Sequence, residues 1–260
     1  MGQPRRKDKE RPEGTDTTTE AQSSADGVAV ATWTAPSWPS RLTLGVITGL
    51  VILFNLPLIH YFLIRGQVPA TVALPVSEDF SNPSVVEEEF FSTGGLWRVV
   101  NGELLSPGVK NNPLWLKAQL PQDVAVEFSV RNASNDDIRV EVFGDGTAHG
   151  SGYILIHTGA NGRVSTLARL DEQAPPLVQA GVYTPGSRVR VEASQNPVQA
   201  GRTYRWRIER RGGLLRWLID ETLFMEFNDP YPLTGKNHDR FGFSSWESQT
   251  SFDDLVVRPL

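Results

Sequence analysis

The sequence predicts an all-β protein, an antiparallel sandwich of the jelly-roll type preceded by one transmembrane helix. Three observations predict it. From Ser77 onward, short stretches alternate apolar and polar side chains and are separated by Gly, Pro, Asn and Asp, the period-two signature of half-buried strands. No window of ten or more residues beyond position 76 carries a helical stripe. Upstream, the 23 residues between Arg41 and Arg65 hold no charge at all.

Residues 1–40 are rich in Arg, Lys, Glu, Thr, Ser and Pro and lack apolar periodicity, so they are expected to form a disordered tail. Residues 42–64 reach about 34 Å as a helix at about 1.5 Å per residue, enough for a hydrocarbon core of about 30 Å. Pro57 kinks this span, while His60 and Tyr61 belong near the lipid–water interface. Six Lys or Arg residues precede the span and only Arg65 follows before Arg98. The positive-inside rule therefore places the N terminus in the cytoplasm and the C-terminal domain outside it, periplasmic or extracellular. A run of this length is too long for the apolar core of a cleaved signal peptide, so the segment reads as an uncleaved signal-anchor in a lipid bilayer. Residues 66–76 form a short Pro-containing stalk, and residues 77–260 the folded domain.

Within the domain, Asn101-Gly102 marks a hairpin after Trp97. Val124, Val126, Phe128 and Val130 share one strand face, and Ile138, Val140 and Val142 another, with Arg139 and Glu141 opposite. Strands follow at 153–157, 164–170 and 189–193. Two longer ones, at 204–210 and 215–220, turn through Arg211, Gly212 and Gly213. Tyr204, Trp206 and Ile208 form an inward row, as do Leu223, Met225 and Phe227. Segments 241–244 and 252–257 complete the set.

Composition removes several functions. With no cysteine there is no disulfide framework, thiolate nucleophile, Cys-based zinc site or lipoprotein anchor. Net charge is −5, and the part beyond Arg65 is more acidic than basic without a basic stripe, which argues against nucleic acid as a partner.

Several segments carry a resemblance: the opening Asp79-Phe80, Leu96-Trp97 through Leu104, the strand pair ending in Trp217-Leu218-Ile219-Asp220, and above all His238 to Trp246 followed by Phe252 to Leu260. In these the chain resembles the concanavalin A-like lectin/glucanase superfamily, its last strand being similar to the closing strand of laminin G-like and 3-keto-disaccharide hydrolase domains. The resemblance implies a jelly roll and a carbohydrate or cell-envelope ligand. It also permits a test. Laminarinase-like glucanases of the superfamily carry E-x-D-x-E on one strand. Here the matching positions hold Asp137, Arg139 and Glu141, all expected on the face opposite the core row. Retaining hydrolysis needs two nearby carboxylates, one with a raised pKa. A guanidinium between them is expected to lower both, so the laminarinase route is rejected and catalytic residues stay unassigned.

The remaining candidates come from residue chemistry. Arg169 could join Arg139 and Glu141 on one polar sheet face, and His149 and His157 frame Tyr153. Trp246, beside Glu247, is the best ring for stacking a sugar, whereas Trp206 and Trp217 fall on core rows. The candidate ligand-binding set is thus Asp137, Arg139, Glu141, Tyr153, His157, Arg169 and Trp246. His149, His157 and His238 lack the close spacing of a metal site, so no metal is assigned. The oxygen-rich segments 132–137 and 144–147 could hold calcium, but neither has an EF-hand pattern and both read rather as turns. Three functions follow in order: a binding module for a glycan or envelope component, a structural or protein-interaction ectodomain, and a hydrolase or lyase with Glu141 or His157 as base.

Overall fold

The computed structural model describes residues 38–59, 68–159, 163–194 and 196–260. Most of the expected tail, the end of the expected membrane span with His60 and Tyr61, and the first residues of the stalk lie outside the described residues. The chain divides into two units, residues 1–62 and 63–260.

In the first unit, helix α1 spans Arg41–Ile59. Ser40 starts it, its Oγ accepting from Thr43 N at 3.2 Å as an N-terminal cap. Asn55 is satisfied within the helix, its Nδ2 donating to Val51 O at 2.7 Å. The apolar side chains from Leu42 to Leu56 are exposed around the helix. Among the described residues no helix is long and apolar enough to cross a membrane. The expected span runs beyond the end of α1.

The second unit is an antiparallel sandwich of two sheets. In chain order its elements begin with β1 (Val76–Glu78), α2 (Val85–Glu89), β2 (Phe90–Ser92), β3 (Arg98–Val100), β4 (Glu103–Leu105) and β5 (Leu114–Leu116). Next come β6 (Val124–Asn132), β7 (Ile138–Gly144), β8 (Tyr153–Thr158), β9 (Val164–Arg169) and β10 (Val189–Ser194). The last are β11 (Thr203–Arg211), β12 (Leu214–Ile219), β13 (Thr222–Asn228), β14 (Arg240–Ser244) and β15 (Thr250–Pro259). One sheet has the order β13-β12-β11-β6-β15-β4-β3, with β1 also paired to β15. The other has the order β10-β9-β8-β7-β14-β5-β2.

The predicted turns appear where the sequence puts them. Asn101 and Gly102 both have positive φ, 55° and 80°, the twist that a two-residue hairpin between β3 and β4 requires. Alternation then fills the space between the sheets. Val126, Phe128 and Val130 of β6 face Val140 and Val142 of β7 and Phe241 and Phe243 of β14, all buried. The Phe128 and Phe243 rings meet edge-on at 5.5 Å, and Trp206 and Trp217 approach to 4.5 Å. Each such ring withdrawn from water contributes roughly 1.5–3 kcal/mol.

One inward row departs from expectation. A bulge shifts the β12–β13 register between Trp217 and Leu218. The extra residue turns Leu223 out to solvent and packs Phe224 against the core in its place. Met225 and Phe227 resume the expected alternation.

Candidate functional site

The seven-stranded sheet presents a second face, away from the core. Strand register fixes its membership. One row runs Phe91, Trp115, Gly242, Glu141, Ile154, Ala168 and Arg190 across all seven strands. The neighbouring row runs Ser244, Arg139, Ile156, Thr166 and Glu192. Glycine is needed beside Trp115, because a Cβ on Gly144 would come within 2.3 Å of the indole and one on Gly242 within 2.8 Å.

Two chain segments fold back over this face. The β7–β8 connection holds itself in a tight turn: Asp145 Oδ1 accepts from Thr147 N and Ala148 N, both at 2.7 Å. That turn delivers Gly150 N to Glu141 Oε2 at 2.9 Å and His149 Nδ1 to Glu141 Oε1 at 2.6 Å. The segment after β9 delivers Glu172. Arg139 therefore sits between two carboxylates, with Nε donating to Asp137 Oδ2 at 2.7 Å and Nη1 to Glu172 Oε2 at 2.5 Å. His149 Nε2 lies 3.8 Å from the same Glu172 oxygen. Asp137, Arg139, Glu172, His149 and Glu141 form one continuous polar chain.

Trp246 stands beside this chain, half-buried, its ring centroid 4.7 Å from Arg139 Cζ and 4.6 Å from Lys110 Nζ. Lys110 is in turn 3.1 Å from Glu247. Between these groups opens a cavity of about 330 Å³, lined by Asp136, Asp137, Arg139, Glu172, Gln173 and Trp246 among others. Asp137 Oδ1 is buried there without a hydrogen-bond partner.

The predicted alternation places Asp137, Arg139 and Glu141 opposite the core row, but not as an exposed ladder. Their exposures are 4%, 6% and 0%, because the two covering segments shut out water. Burial also reverses the expected effect of the arginine on Asp137. Desolvation pushes that carboxyl up to about 6 against the lowering pull of Arg139. For His149, burial favours the neutral ring, but the hydrogen bond and charge of Glu141, with Glu172, outweigh it and raise the pKa.

Three candidates lie elsewhere. Tyr153 and His157 point into the core, on the same side of β8 as Leu155. His157 packs edge-on against Tyr204 and Trp217, donates from Nε2 to Asn196 O at 2.7 Å, and is pushed down to about 4 by burial. Arg169 also faces inward, 1% exposed, with Nε on Asp229 Oδ2 at 2.8 Å and further bonds to the carbonyls of Ser187, Pro185 and Tyr231. Tyr153 Oη donates to the same Asp229 oxygen at 2.7 Å. These residues tie the sandwich together from inside and do not reach the cavity on the other side of the sheet.

His149, weighed from the sequence only beside Tyr153 and as a metal ligand, completes the site with Glu172 and Lys110, which nothing local in the sequence singles out, since each arrives on a connection. No group of three His, Cys, Asp or Glu side chains among the described residues is arranged to hold a metal. Side chains of the two oxygen-rich segments are engaged both in local turns and in bonds to other parts of the domain. Asn132 Nδ2 donates to Asp137 O at 2.9 Å, while Asp145 closes its own turn.

No family model matches the sequence, and no curated protein does. Solved structures do. A carbohydrate-binding module, CBM66 from Bacillus subtilis, is similar over 65% of this chain and 95% of its own, at 13% identity and a TM-score of 0.51. A sialidase is similar over 74% of this chain, which spans only 19% of the sialidase, at 11% identity and a TM-score of 0.51. The chain shares the two-sheet β-sandwich fold of these structures.

Proposed function

We propose that this chain is a membrane-tethered carbohydrate-binding protein whose sandwich domain takes a glycan in the cavity beside Trp246. One observation carries the reading. An aromatic ring of a kind that stacks on sugars stands next to a set of carboxylates and an arginine already locked to one another, so little ordering is left to be done on binding. Asp137 Oδ1, buried and unpartnered, supplies an acceptor for a hydroxyl. The solved carbohydrate-binding module with the same fold supports the ligand class. The test is a glycan array probed with the full chain in detergent. Retention of at least one glycan, reduced by Trp246→Ala and by Arg139→Ala, is expected. An array without hits on well-folded protein turns the reading toward a protein-interaction ectodomain.

Membrane attachment rests on the uncharged stretch 42–64 and on the apolar side chains that α1 exposes. The basic residues ahead of the stretch orient the N terminus to the cytoplasm and the sandwich outward. Protease added to cells stripped of any outer envelope, with the cytoplasmic membrane intact, is expected to digest the sandwich and spare the tail. Extraction by alkaline carbonate would contradict the anchor.

A second reading is favoured by the Glu141–His149 pair. Glu141 fixes the Nδ1 proton of His149 and leaves Nε2 toward the cavity side carrying Glu172, an arrangement suited to a general base acting on a modified sugar. His157, enclosed in the core, has no part in it. Turnover abolished by His149→Ala would establish this reading, and binding without turnover would dismiss it.

A further inference from the structure

Four arginines are buried among the described residues, and three of them have a carboxylate within ion-pair distance: Arg139 at Asp137 and Glu172, Arg240 at Asp239, and Arg169. Arg169 meets Asp229 at 2.8 Å. Arg210 extends the inward row of Tyr204, Trp206 and Ile208 on β11 and is 2% exposed. Its Nε donates to Gly212 O at 2.8 Å, its Nη1 to Leu233 O at 2.7 Å, and its Cζ lies 4.0 Å from the Phe143 ring centroid. Nη2 has no hydrogen-bond partner, and no carboxylate among the described residues lies within ion-pair distance. Asp229 cannot serve, because Arg169, Tyr153, Tyr183 and Tyr231 N already hold its two oxygens.

Charges are almost never fully buried without a partner, since the lost hydration has no replacement. Arg210 lines a cavity of about 170 Å³ together with Lys236, His238, Gln122, Thr234 and Asp239. His238 Nδ1 is a second buried nitrogen without a partner. Lys236 is exposed at the rim, with no carboxylate among the described residues in ion-pair contact. Asp239, the acidic residue of the lining, lies beside Arg240 at 3.6 Å. The volume is below the roughly 300–1,000 Å³ of pockets that enclose a drug-sized molecule, so the cavity suits a single group.

We propose that this cavity is an anion site, taking one sulfate or phosphate group on Arg210 Nη2 with Lys236 and His238 completing its coordination. The chemistry selects a tetrahedral oxyanion because the donors come from three separate side chains and not from one planar fork. Burial pushes the Arg210 guanidinium down, and an anion in place reverses that pull. The site is independent of the glycan cavity. Phe143 lies six residues along the strand from Asp137, about 20 Å away at roughly 3.3 Å per residue.

The test is calorimetric titration of the full chain in detergent with sodium phosphate, sodium sulfate and glucose 6-phosphate, at ionic strength held constant with chloride. Saturable one-site binding of phosphate and sulfate is expected, weakened about fivefold by Lys236→Ala, the order of one charge-assisted contact. Arg210→Met is expected to abolish it. Should that variant not fold, His238→Ala serves as the second substitution. Tighter binding of the sugar phosphate than of free phosphate identifies an ester on a larger molecule as the source, and the reverse order a free anion. Absence of saturable heat with all three, or binding that Lys236→Ala and His238→Ala leave unchanged, overturns the proposal.

Discussion

Replacing Asp137 with Asn removes a carboxyl that burial holds at about 6, well above its ordinary value near 3.8. The folded protein therefore binds a proton there more readily than the unfolded chain does. For a raised carboxyl the sign runs toward acid: stability is gained as pH falls through 6 and levels off below about 4. Between pH 7 and pH 4.5 the shift corresponds to about 2 kcal/mol in favour of the wild type at the lower pH. Other groups titrate in the same window. His149 adds in the same direction, since its folded pKa is raised, while His157 opposes both. The quantity to compare is thus the change in unfolding free energy from pH 7 to pH 4.5 in each protein, in which the shared groups cancel. Asn preserves the shape and keeps an oxygen to accept from Arg139 Nε, so the variant is expected to fold. Urea denaturation of the full chain in detergent, followed by tryptophan fluorescence, measures both values. A wild type and variant that change in parallel, within about 0.5 kcal/mol, would refute the claim that this carboxyl titrates in the folded state at that pH.

Other substitutions probe the frame around the site. His157→Phe removes a ring whose folded pKa, about 4, lies below the ordinary 6.5, so wild-type stability from this group is complete above pH 6.5 and is lost as pH falls toward 4. The variant is expected to resist acid better by about 2 kcal/mol at pH 5, read from the pH dependence of the urea midpoint. Asp229→Asn leaves Arg169 buried without its carboxylate and is expected to cost about 3–5 kcal/mol. A drop of less than 1 kcal/mol would show that the carbonyls around Arg169 suffice. Gly152→Ala places a Cβ 2.5 Å from Val142 O and 2.6 Å from Gly144 N, so strand β7 must shift. A loss of about 1–3 kcal/mol in urea is expected, with weaker glycan retention because Glu141 lies on that strand.

The two-sheet sandwich was legible because alternation states which residues are inside without reference to partners. Val126, Phe128 and Val130 could be read as core from their spacing alone, and Asn101-Gly102 as a hairpin from the φ values that pair requires. The same rule, followed strictly, places His157 with Tyr153 and Leu155, and Arg169 with Leu167. Reading those side chains by their polarity set them on the wrong face. What resolves an inward arginine is Asp229, sixty residues away in sequence, and no local pattern announces that pairing. Leu223 was misplaced for a related reason, since the bulge at Phe224 sets the parity of Leu223 apart from that of Met225 and Phe227. At the site, the strand residues were visible and the loop residues were not. Arg139 and Glu141 follow from β7, whereas His149 and Glu172 depend on how two connections fold back over the sheet.

Strand β15 lies between β6 and β4 in the middle of the eight-stranded sheet, though it is the last strand in the chain. Its partner β6 precedes it by more than a hundred residues. A nascent polypeptide emerging from the ribosome holds β6 and β4 with open edges until residue 259 has appeared, so this sheet closes late, after most of the domain has been synthesised. A transcript cut short before codon 250 would yield a product in which β6, β4 and β1 all lack their partner, with a strong tendency to aggregate. Quality control by chaperones and proteases therefore acts on this domain chiefly in the interval before strand β15 arrives.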